Sequence, residues 1–207
     1  MRAIIYTGGV VDPSRITEHP KGDDLCIAAD GGLRNARLLG VTPAVVLGDF
    51  DSVGEEPFPK DAEILRVPAE KDFTDTQLAV ETALKKGATE LVIVGGLSGR
   101  LDHTLSNLAI LEDLADKHVP IHLTDGRNRV RLLKNTSTLI PKSGFRYLSL
   151  LCLSEKAKGV SVEGCKYPLK NATLTKKFQY AVSNEITGNC ALISVRKGAL
   201  YIIESSD

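Results

Sequence analysis

The sequence predicts two folds in one chain: an α/β N-terminal domain with an open, mainly parallel sheet, and a C-terminal all-β sandwich domain. In residues 1–127, short apolar runs alternate with amphipathic stretches, whereas in residues 128–207 strand-like runs follow one another without a convincing helix. The chain has 207 residues, of which 43% are hydrophobic and 25% are charged, as is ordinary for a globular protein. This length is sufficient for two modest domains, each with its own core.

The strands of the first domain are predicted from short runs that are apolar at successive positions. Such runs are typical of strands buried on both faces of a parallel sheet. The runs are AIIY (3–6), LCIAA (25–29), AVVLG (44–48), EILRV (63–67), LVIVGG (91–96) and VPIHLTD (119–125). Because helix-like segments lie between several of them, the pattern indicates an open α/β sheet.

Three segments of the first domain carry helix signals. In TDTQLAVETALKKG, Thr74 is the expected N-cap, Gln77 completes a capping box, and Gly87 ends the helix. GGLRNARLLG predicts a shorter helix. HTLSNLAILEDLADKH predicts a helix with an apolar face of four leucines, Leu105, Leu108, Leu111 and Leu114.

The second domain is predicted from six strand-like runs: RVRLL, TSTLIP, YLSLLCLS, GVSVEG, ALISVRKG and ALYIIES. Turns such as PKSG and ITGN separate them. Consecutive strands without helices are typical of an antiparallel sandwich or barrel. We place the boundary near residues 126–130, in DGRNR.

The bulk properties exclude several classes of function. Lys plus Arg and Asp plus Glu both number 26, and a zero net charge argues against general binding to nucleic acid or to a membrane surface. No apolar run approaches the length of a membrane span, and the first run is too short for a signal peptide. The four cysteines are widely spaced, so we expect reduced thiols in a cytoplasmic protein.

Charged residues follow the predicted strands of the first domain at the point where each strand ends. The groups are Asp30; Asp49 and Asp51 in LGDFDS; Lys71, Asp72 and Asp75; and Gly99, Arg100, Asp102 and His103. The carboxyl ends of parallel strands share one edge of the sheet, where ligands bind. We therefore expect these four groups to converge on a single crevice.

Each group also has an ordinary structural reading, as a turn, a helix cap or a local ion pair. Their convergence on one sheet edge favours a ligand site. Two carboxylates about 4 Å apart repel by roughly 4 kcal/mol at an effective dielectric constant near 20, so either the groups are well spread, or some are protonated, or a divalent cation draws them together. Oxygen ligands suit Mg²⁺ or Mn²⁺ better than zinc. Glycines, helix N-termini and Arg100 offer hydrogen-bond donors to phosphate.

Five motifs resemble those of thiamine pyrophosphokinases: AADGGLRNA, PAVVLGDFDSV, KDFTDTQLA, GLSGRLDHTLSNL and AVSNE. They occur in the family's order between about residues 28 and 185. The resemblance implies an α/β domain for ATP and metal, a β-sandwich domain for thiamine, and a homodimer with the thiamine site at the subunit interface. It also implies transfer of the pyrophosphoryl group of ATP to the hydroxyl of thiamine, giving thiamine diphosphate and AMP.

The resemblance also implies roles for individual residues. The positions of the family's magnesium carboxylates correspond to Asp49, Asp51 and Asp75, and Mn²⁺ is an alternative ion. The residues expected near ATP or in catalysis are Asp30, Lys71, Asp72, Arg100, Asp102 and His103, with Asp72 as the general base. Ser183, Asn184 and Glu185 correspond to the segment that contacts thiamine. The chain has no tryptophan, although some relatives stack the pyrimidine on one.

Two other classes of function share part of this pattern. The D-x-D of GDFDS also occurs in metal-dependent glycosyltransferases and phosphohydrolases, but neither class predicts the β-rich second half. A non-catalytic nucleotide- or thiamine-binding regulator does not require a full carboxylate set, whereas Asp49, Asp51 and Asp75 are all present. The products distinguish these alternatives: AMP, ADP or inorganic phosphate.

Overall fold

A computed structural model of the chain describes residues 1–50, 57–68 and 72–207. Contacts between Cα atoms divide the chain into two compact units, Met1–Gly126 and Arg127–Asp207. The first unit contains a parallel sheet with helices and the second contains antiparallel strands. The predicted fold class is confirmed.

In its described residues, the first unit is built on six parallel strands. Its elements are β1 (Arg2–Tyr6), β2 (Leu25–Ala29), α1 (Gly32–Leu38), β3 (Val45–Gly48), β4 (Glu63–Arg66), α2 (Asp75–Lys85), β5 (Glu90–Val94), α3 (Leu101–Asp116) and β6 (Ile121–Thr124). The six strands lie in the order β4-β3-β2-β1-β5-β6, with every neighbouring pair parallel. The chain thus winds outward from β1 in one direction and from β5 in the other, so the order reverses between these two strands.

Close packing of α1 on β1 depends on one glycine. A Cβ atom on Gly32 would lie 1.9 Å from the carbonyl oxygen of Tyr6, so no larger residue fits there. Ala36 of the same helix is fully buried in a cluster with Ile4 and Tyr6. The motif AADGGLRNA therefore has a structural reason for its second glycine, because α1 starts directly against the end of β1.

The structure confirms the start of α2 and corrects the buried face of α3. Thr74 caps α2, and its side chain and that of Gln77 form the predicted capping box. In α3, Leu111 and Leu114 are buried, but Leu105 is 58% exposed, contrary to the predicted leucine face. Nine residues rotate a helix by about 180° beyond full turns, so Leu105 and Leu114 point in opposite directions.

The second unit contains strands only. They are β7 (Asn128–Lys134), β8 (Ser137–Pro141), β9 (Tyr147–Cys152), β10 (Lys156–Glu163), β11 (Leu169–Thr175), β12 (Cys190–Ser194) and β13 (Ala199–Ser205). They form two antiparallel sets, β7-β13-β9 and β11-β10-β12-β8. Buried side chains of both sets, such as Leu150, Val160 and Ile193, form one core. The unit is the predicted sandwich.

Strand β11 was not predicted from the sequence. It contains Lys170 and Asn171, both exposed, and Asn171 has a φ of 49°. Its pairing with β10 has two register irregularities, and of its side chains only Leu174 is buried. An irregular edge strand lacks the alternation on which the prediction rests. None of the helices in the described ranges has the length and apolarity that a bilayer span requires.

Candidate active site

A cleft of about 420 Å³ lies in the first unit, where the strand order reverses. Open α/β sheets bind ligands at this position, outside the carboxyl ends of the strands. The cleft is lined by the loops after β1, β2, β3 and β5 and by the first turns of α2 and α3. The topology therefore brings together residues that are far apart in the sequence.

Three of the predicted carboxylates line this cleft: Asp30, Asp49 and Asp75. Asp30 follows β2 with a φ of 45°, and its backbone N–H donates to the carbonyl oxygen of Leu47 at 2.7 Å. Gly48 precedes Asp49 with a φ of 147°, and a Cβ there would lie 3.1 Å from that of Asp30. The glycine of LGDFDS thus allows β2 and β3 to end side by side, each followed by a carboxylate.

The capping box of α2 holds the third carboxylate. The Gln77 backbone N–H donates to Thr74 Oγ1 at 3.2 Å, and the Thr74 N–H donates to Gln77 Oε1 at 2.9 Å. Asp75 is the first residue of the helix. There the helix dipole stabilises its negative charge.

Two glycine-containing loops also line the cleft. Gly8 and Gly9 follow β1, and Gly96 and Gly99 follow β5. Ser98 Oγ accepts from the backbone N–H of Val10 at 2.7 Å and joins the two loops. Backbone N–H groups in such loops, and the helix N-termini beside them, are donors suited to phosphate oxygens.

Two buried asparagines fix these loops. Asn35 of α1 donates from Nδ2 to the carbonyl oxygens of Thr7 and Gly9, at 2.7 and 3.0 Å. Asn107 of α3 donates to the carbonyl oxygen of Gly96 at 3.0 Å. Sequence reasoning did not select either residue, nor the loop after β1, although both asparagines lie within quoted motifs. The sequence feature that could have indicated them is a polar amide among the buried positions of a helix.

Arg100 and Asp102 form an exposed ion pair beside the cleft. The guanidinium donates to both carboxylate oxygens, at 2.6 and 3.2 Å, and the side chains are 73% and 63% exposed. This hydrogen bond lowers the pKa of Asp102 and raises the pKa of Arg100. Arg100 and His103 line the cleft, whereas Asp102 is not among its lining residues. Asp102 thus contacts the cleft residue Arg100 through the ion pair.

Other predicted residues lie away from the cleft or outside the description. Asp72 is exposed, and it is not one of the residues that line the cleft. Asp51 and Lys71 lie outside the described residues.

The oxygen donors of the cleft fit Mg²⁺ or Mn²⁺. Asp49 and Asp75 supply two carboxylates, and Mg²⁺ typically takes one or two, with waters and substrate phosphates completing its coordination. Within residues 1–50, 57–68 and 72–207, no three His, Cys, Asp or Glu side chains are grouped closely enough to hold a metal. The described part of the chain thus forms no metal cage made of protein alone.

A second, smaller cavity lies in the sandwich unit. We call it the slot; its volume is about 100 Å³, and it is lined by Leu148, Leu150, Val162, Tyr167, Leu169, Tyr180, Ala181, Val182 and Asn184. Of the three residues predicted to contact thiamine, only Asn184 lines the slot. Sequence reasoning missed Tyr167 and Tyr180, because nothing local marks them as neighbours of Asn184.

The other two predicted residues flank the slot. Ser183 has a φ of 57°, and its backbone N–H donates to Ser149 Oγ at 2.9 Å. Glu185 pairs with the ammonium of Lys166 at 3.2 Å. The pKa of Lys166 is raised by this hydrogen bond.

Comparison with known proteins matches both units to one family. The family model "Thiamin pyrophosphokinase, catalytic domain" matches residues 18–123, and the model "Thiamin pyrophosphokinase, vitamin B1 binding domain" matches residues 136–200. The thiamine pyrophosphokinase of Bacillus subtilis is 33% identical over 93% of this chain and 92% of its own length. The thiamin pyrophosphokinase 1 of Caenorhabditis elegans is 27% identical over 78% of this chain and 70% of its own length.

Solved structures agree with the sequence relatives. The crystal structure of the Bacillus subtilis thiamine pyrophosphokinase has a TM-score of 0.88 and 29% identity, and all of both chains is covered. That of the Geobacillus thermodenitrificans thiamin pyrophosphokinase has a TM-score of 0.87 and 28% identity, covering 100% of this chain and 98% of the other. From the two family models, the near full-length relative and these folds, we conclude that the chain belongs to the thiamin pyrophosphokinase family.

Proposed function

We propose that this chain is a thiamine pyrophosphokinase, which transfers the pyrophosphoryl group of ATP to the hydroxyl of thiamine and releases thiamine diphosphate and AMP. The observation that carries the proposal is the cleft, where Asp30, Asp49 and Asp75 face two glycine-containing loops and Arg100. The cleft lies in the unit matched by the catalytic-domain model, and a vitamin B1 binding domain follows in the same chain.

The reaction forms one P–O bond and breaks another. The hydroxyl oxygen of thiamine attacks the β-phosphorus of ATP, and the bond between this phosphorus and the α–β bridging oxygen breaks. AMP leaves with that oxygen, and the hydroxyl proton passes to a base. Such transfers require in-line positioning and neutralisation of phosphate charge more than covalent chemistry by the protein.

The residues of the cleft have distinct roles in this reaction. The backbone N–H groups of the two glycine-containing loops donate to phosphate oxygens. Arg100 offers a fork of donors to the same oxygens, and Asp102 holds that fork in place. Lys71 and His103 add cationic or hydrogen-bonding groups near the phosphates, and Asp30 lies at the nucleotide.

The carboxylates Asp49, Asp51 and Asp75 would hold Mg²⁺, with Mn²⁺ as the alternative ion. When bound, the ion would neutralise the phosphate charge that these carboxylates otherwise repel. The support is the pair of carboxylates Asp49 and Asp75 that line the cleft.

Asp72 is the proposed base that removes the hydroxyl proton. It immediately precedes the cleft residues Phe73, Thr74 and Asp75. An Asp72→Asn variant should lose most of its turnover, because the amide cannot accept the proton. Near-normal turnover of this variant would remove Asp72 from that role.

Residues 1–127 serve as the ATP and metal domain, and residues 128–207 bind thiamine through the segment Ser183, Asn184 and Glu185. The chain forms a homodimer with the thiamine site at the subunit interface. We place the enzyme in the cytoplasm, where thiols stay reduced, because all four cysteines are free.

The dimer is tested by mixing two impaired variants, Asp75→Asn and Tyr167→Ala, and assaying the mixture at a thiamine concentration below the wild-type KM. If each site combines the first unit of one subunit with the second unit of another, the mixture regains activity. Sedimentation of the wild-type chain measures the assembly directly. A monomer at all concentrations, together with no recovery in the mixture, would contradict the interface.

The function is tested by a phosphorus NMR time course with thiamine, ATP and magnesium. We expect AMP and thiamine diphosphate to appear in equal amounts, and a chelator to stop both. ADP with thiamine monophosphate would mean that the γ-phosphorus is attacked instead. Inorganic phosphate alone would favour a phosphohydrolase. The Glu81→Gln variant, altered on the exposed part of α2, is the control that should remain active.

A further inference from the structure

The slot has an apolar floor and an aromatic mouth. Leu148, Leu150 and Val162 form the floor and are 2%, 3% and 2% exposed. Tyr167 and Tyr180 stand at the mouth and are 60% and 44% exposed. Large aromatic rings exposed beside an apolar cavity are typical of a surface that receives a flat ligand.

The side-chain amide of Asn184 forms hydrogen bonds with backbone groups. Its Oδ1 accepts from the N–H groups of Tyr167 and Glu185, both at 2.9 Å. Its Nδ2 donates to the carbonyl oxygen of Tyr167 at 2.8 Å. Two N–H donors on one side fix which end of the amide is oxygen. Three of the four hydrogen-bonding positions of the amide are therefore taken by backbone groups.

This arrangement ties Tyr167 to strand β9. The backbone of Asn184 pairs with Leu148 of β9 through two hydrogen bonds, at 2.8 and 3.0 Å. Tyr167 lies in the connection between β10 and β11, 17 residues earlier. The two hydrogen bonds between the Asn184 amide and the Tyr167 backbone thus form a clamp that holds the tyrosine beside β9.

We propose that Asn184 is a positioning residue whose clamp holds Tyr167, and that the Tyr167 ring is the group that contacts the aminopyrimidine ring of thiamine. The inference rests on the proposed function and departs from the sequence reading, in which Asn184 itself contacts thiamine. In a chain without tryptophan, Tyr167 supplies the aromatic wall of the slot.

The volume of the slot and the charge beside it indicate which of the two rings of thiamine enters. Pockets that enclose a whole drug-sized ligand measure roughly 300–1,000 Å³. The slot, at about 100 Å³, accommodates one ring only. The ammonium of Lys166, which pairs with Glu185, lies 5.6 Å from the centre of the Tyr167 ring. Because this ring already has a cation beside it, the neutral aminopyrimidine suits the slot better than the cationic thiazolium.

The test is a double-mutant cycle on the full-length enzyme, with steady-state kinetics for thiamine and for ATP. Tyr167→Ala should raise the KM for thiamine by about tenfold or more, since aromatic stacking on a base is worth about 1–3 kcal/mol. Tyr167→Phe should keep the wild-type KM. Asn184→Ala should raise the same KM, and it should have little further effect in the Tyr167→Ala background. The KM for ATP should not change in any variant.

Two controls separate this role from general destabilisation. Asn135→Ala removes another amide-to-backbone hydrogen bond of the same unit, from Gly198 N–H at 2.8 Å, and should leave the KM for thiamine unchanged. The free aminopyrimidine alcohol should compete with thiamine in the wild type and lose this effect in Tyr167→Ala. Because Tyr167 is exposed, its alanine variant is expected to fold.

The outcomes are distinct. If the effects of Asn184→Ala and Tyr167→Ala multiply, Asn184 acts on thiamine directly and the clamp is overturned. If the wild type makes thiamine diphosphate but Tyr167→Ala keeps the wild-type KM, the inference fails while the proposed function stands. If the wild type makes no thiamine diphosphate, the proposed function fails and the inference fails with it.

Discussion

The two units carry opposite charges that cancel in the whole chain. Residues 1–126 contain 12 Lys and Arg against 21 Asp and Glu, a formal charge of −9. Residues 127–207 contain 14 Lys and Arg against 5 Asp and Glu, a formal charge of +9. In the proposed function, the acidic unit receives the anion ATP and the basic unit receives the cation thiamine. Each substrate thus meets a unit whose net charge has the same sign as its own.

The comparison teaches that net charge does not attract either substrate. In the proposed function, ATP binding to the acidic unit would depend on local donors and on a divalent cation, because unscreened carboxylates repel phosphates. Thiamine binding to the basic unit would depend on the apolar slot with its aromatic walls.

The largest effect is expected for the carboxylates of the acidic unit. Asp75→Asn should lower kcat/KM by about a thousandfold, as electrostatic stabilisation dominates phosphoryl transfer. The KM for thiamine should stay within about twofold, because the slot is unchanged. Titration with Mg²⁺ should show weaker activation of the variant.

Glu81→Gln is the matched control on the same helix, where Glu81 pairs with Lys85 at 3.6 Å on the surface. It should retain wild-type kinetics. If Asp75→Asn instead raised only the KM for thiamine, the assignment of the two substrates to the two units would be wrong.

The sequence predicted more of the candidate site in the first unit than in the second, because of how the strands of each unit are connected. In the first unit, Asp30, Asp49 and Asp75 could be placed together because parallel strands end at one edge. Asn35 and Asn107 could not be identified, since a polar residue in a helix gives no sign of the loop it contacts. Whether Asp51 and Lys71 join this cleft stays a prediction.

In the second unit, every strand except β11 could be predicted, but the slot could not. Antiparallel strands with irregular turns do not fix which loops meet, so the contact of Asn184 with Tyr167 leaves no local pattern. The irregular strand β11, which follows Tyr167, escaped prediction as well.

The next effect concerns stability and is confined to the acidic unit. Gly32→Ala should destabilise it by about 3 kcal/mol, the upper part of the usual range for overpacking, because the new Cβ meets backbone at 1.9 Å. Urea unfolding monitored by far-UV circular dichroism measures this loss. Gly22→Ala, where nothing lies within 4 Å of the new Cβ, should be nearly neutral. Equal losses in both variants would contradict the close packing of α1 on β1.

A smaller effect is expected at the ion pair, where variants of Arg100 and Asp102 should change the KM for ATP to different extents. Arg100→Ala should raise the KM for ATP about tenfold to a hundredfold, the range of a hydrogen bond to a charged group. Asp102→Asn should change it by no more than about threefold, because the exposed pair only orients the guanidinium. An Asp102 effect as large as that of Arg100 would contradict this division of roles.

The pH dependence of the same variants follows from the pKa shift of Asp102. Its pKa is lowered by Arg100, so the ion pair is fully present above the ordinary Asp pKa of about 3.9 and is lost only as the pH falls through the lowered value. Asp102→Asn should therefore leave the shape of the activity profile between about pH 5 and 9 unchanged. A new inflection in that range would show that Asp102 titrates there.

The smallest effects are expected in the basic unit, where variants of Glu185 and Lys166 should change the KM for thiamine in opposite directions. Glu185→Gln leaves the Lys166 charge beside the slot uncompensated and should raise the KM for the cation thiamine by about twofold to threefold, because exposed ion pairs interact weakly. Lys166→Met removes a positive charge and should lower this KM by a similar factor. Both changes should shrink as salt is added, and neither should alter competition by the neutral aminopyrimidine alcohol. If both variants raised the KM, the pair would matter for the shape of the slot, and the charge of the basic unit would not oppose thiamine.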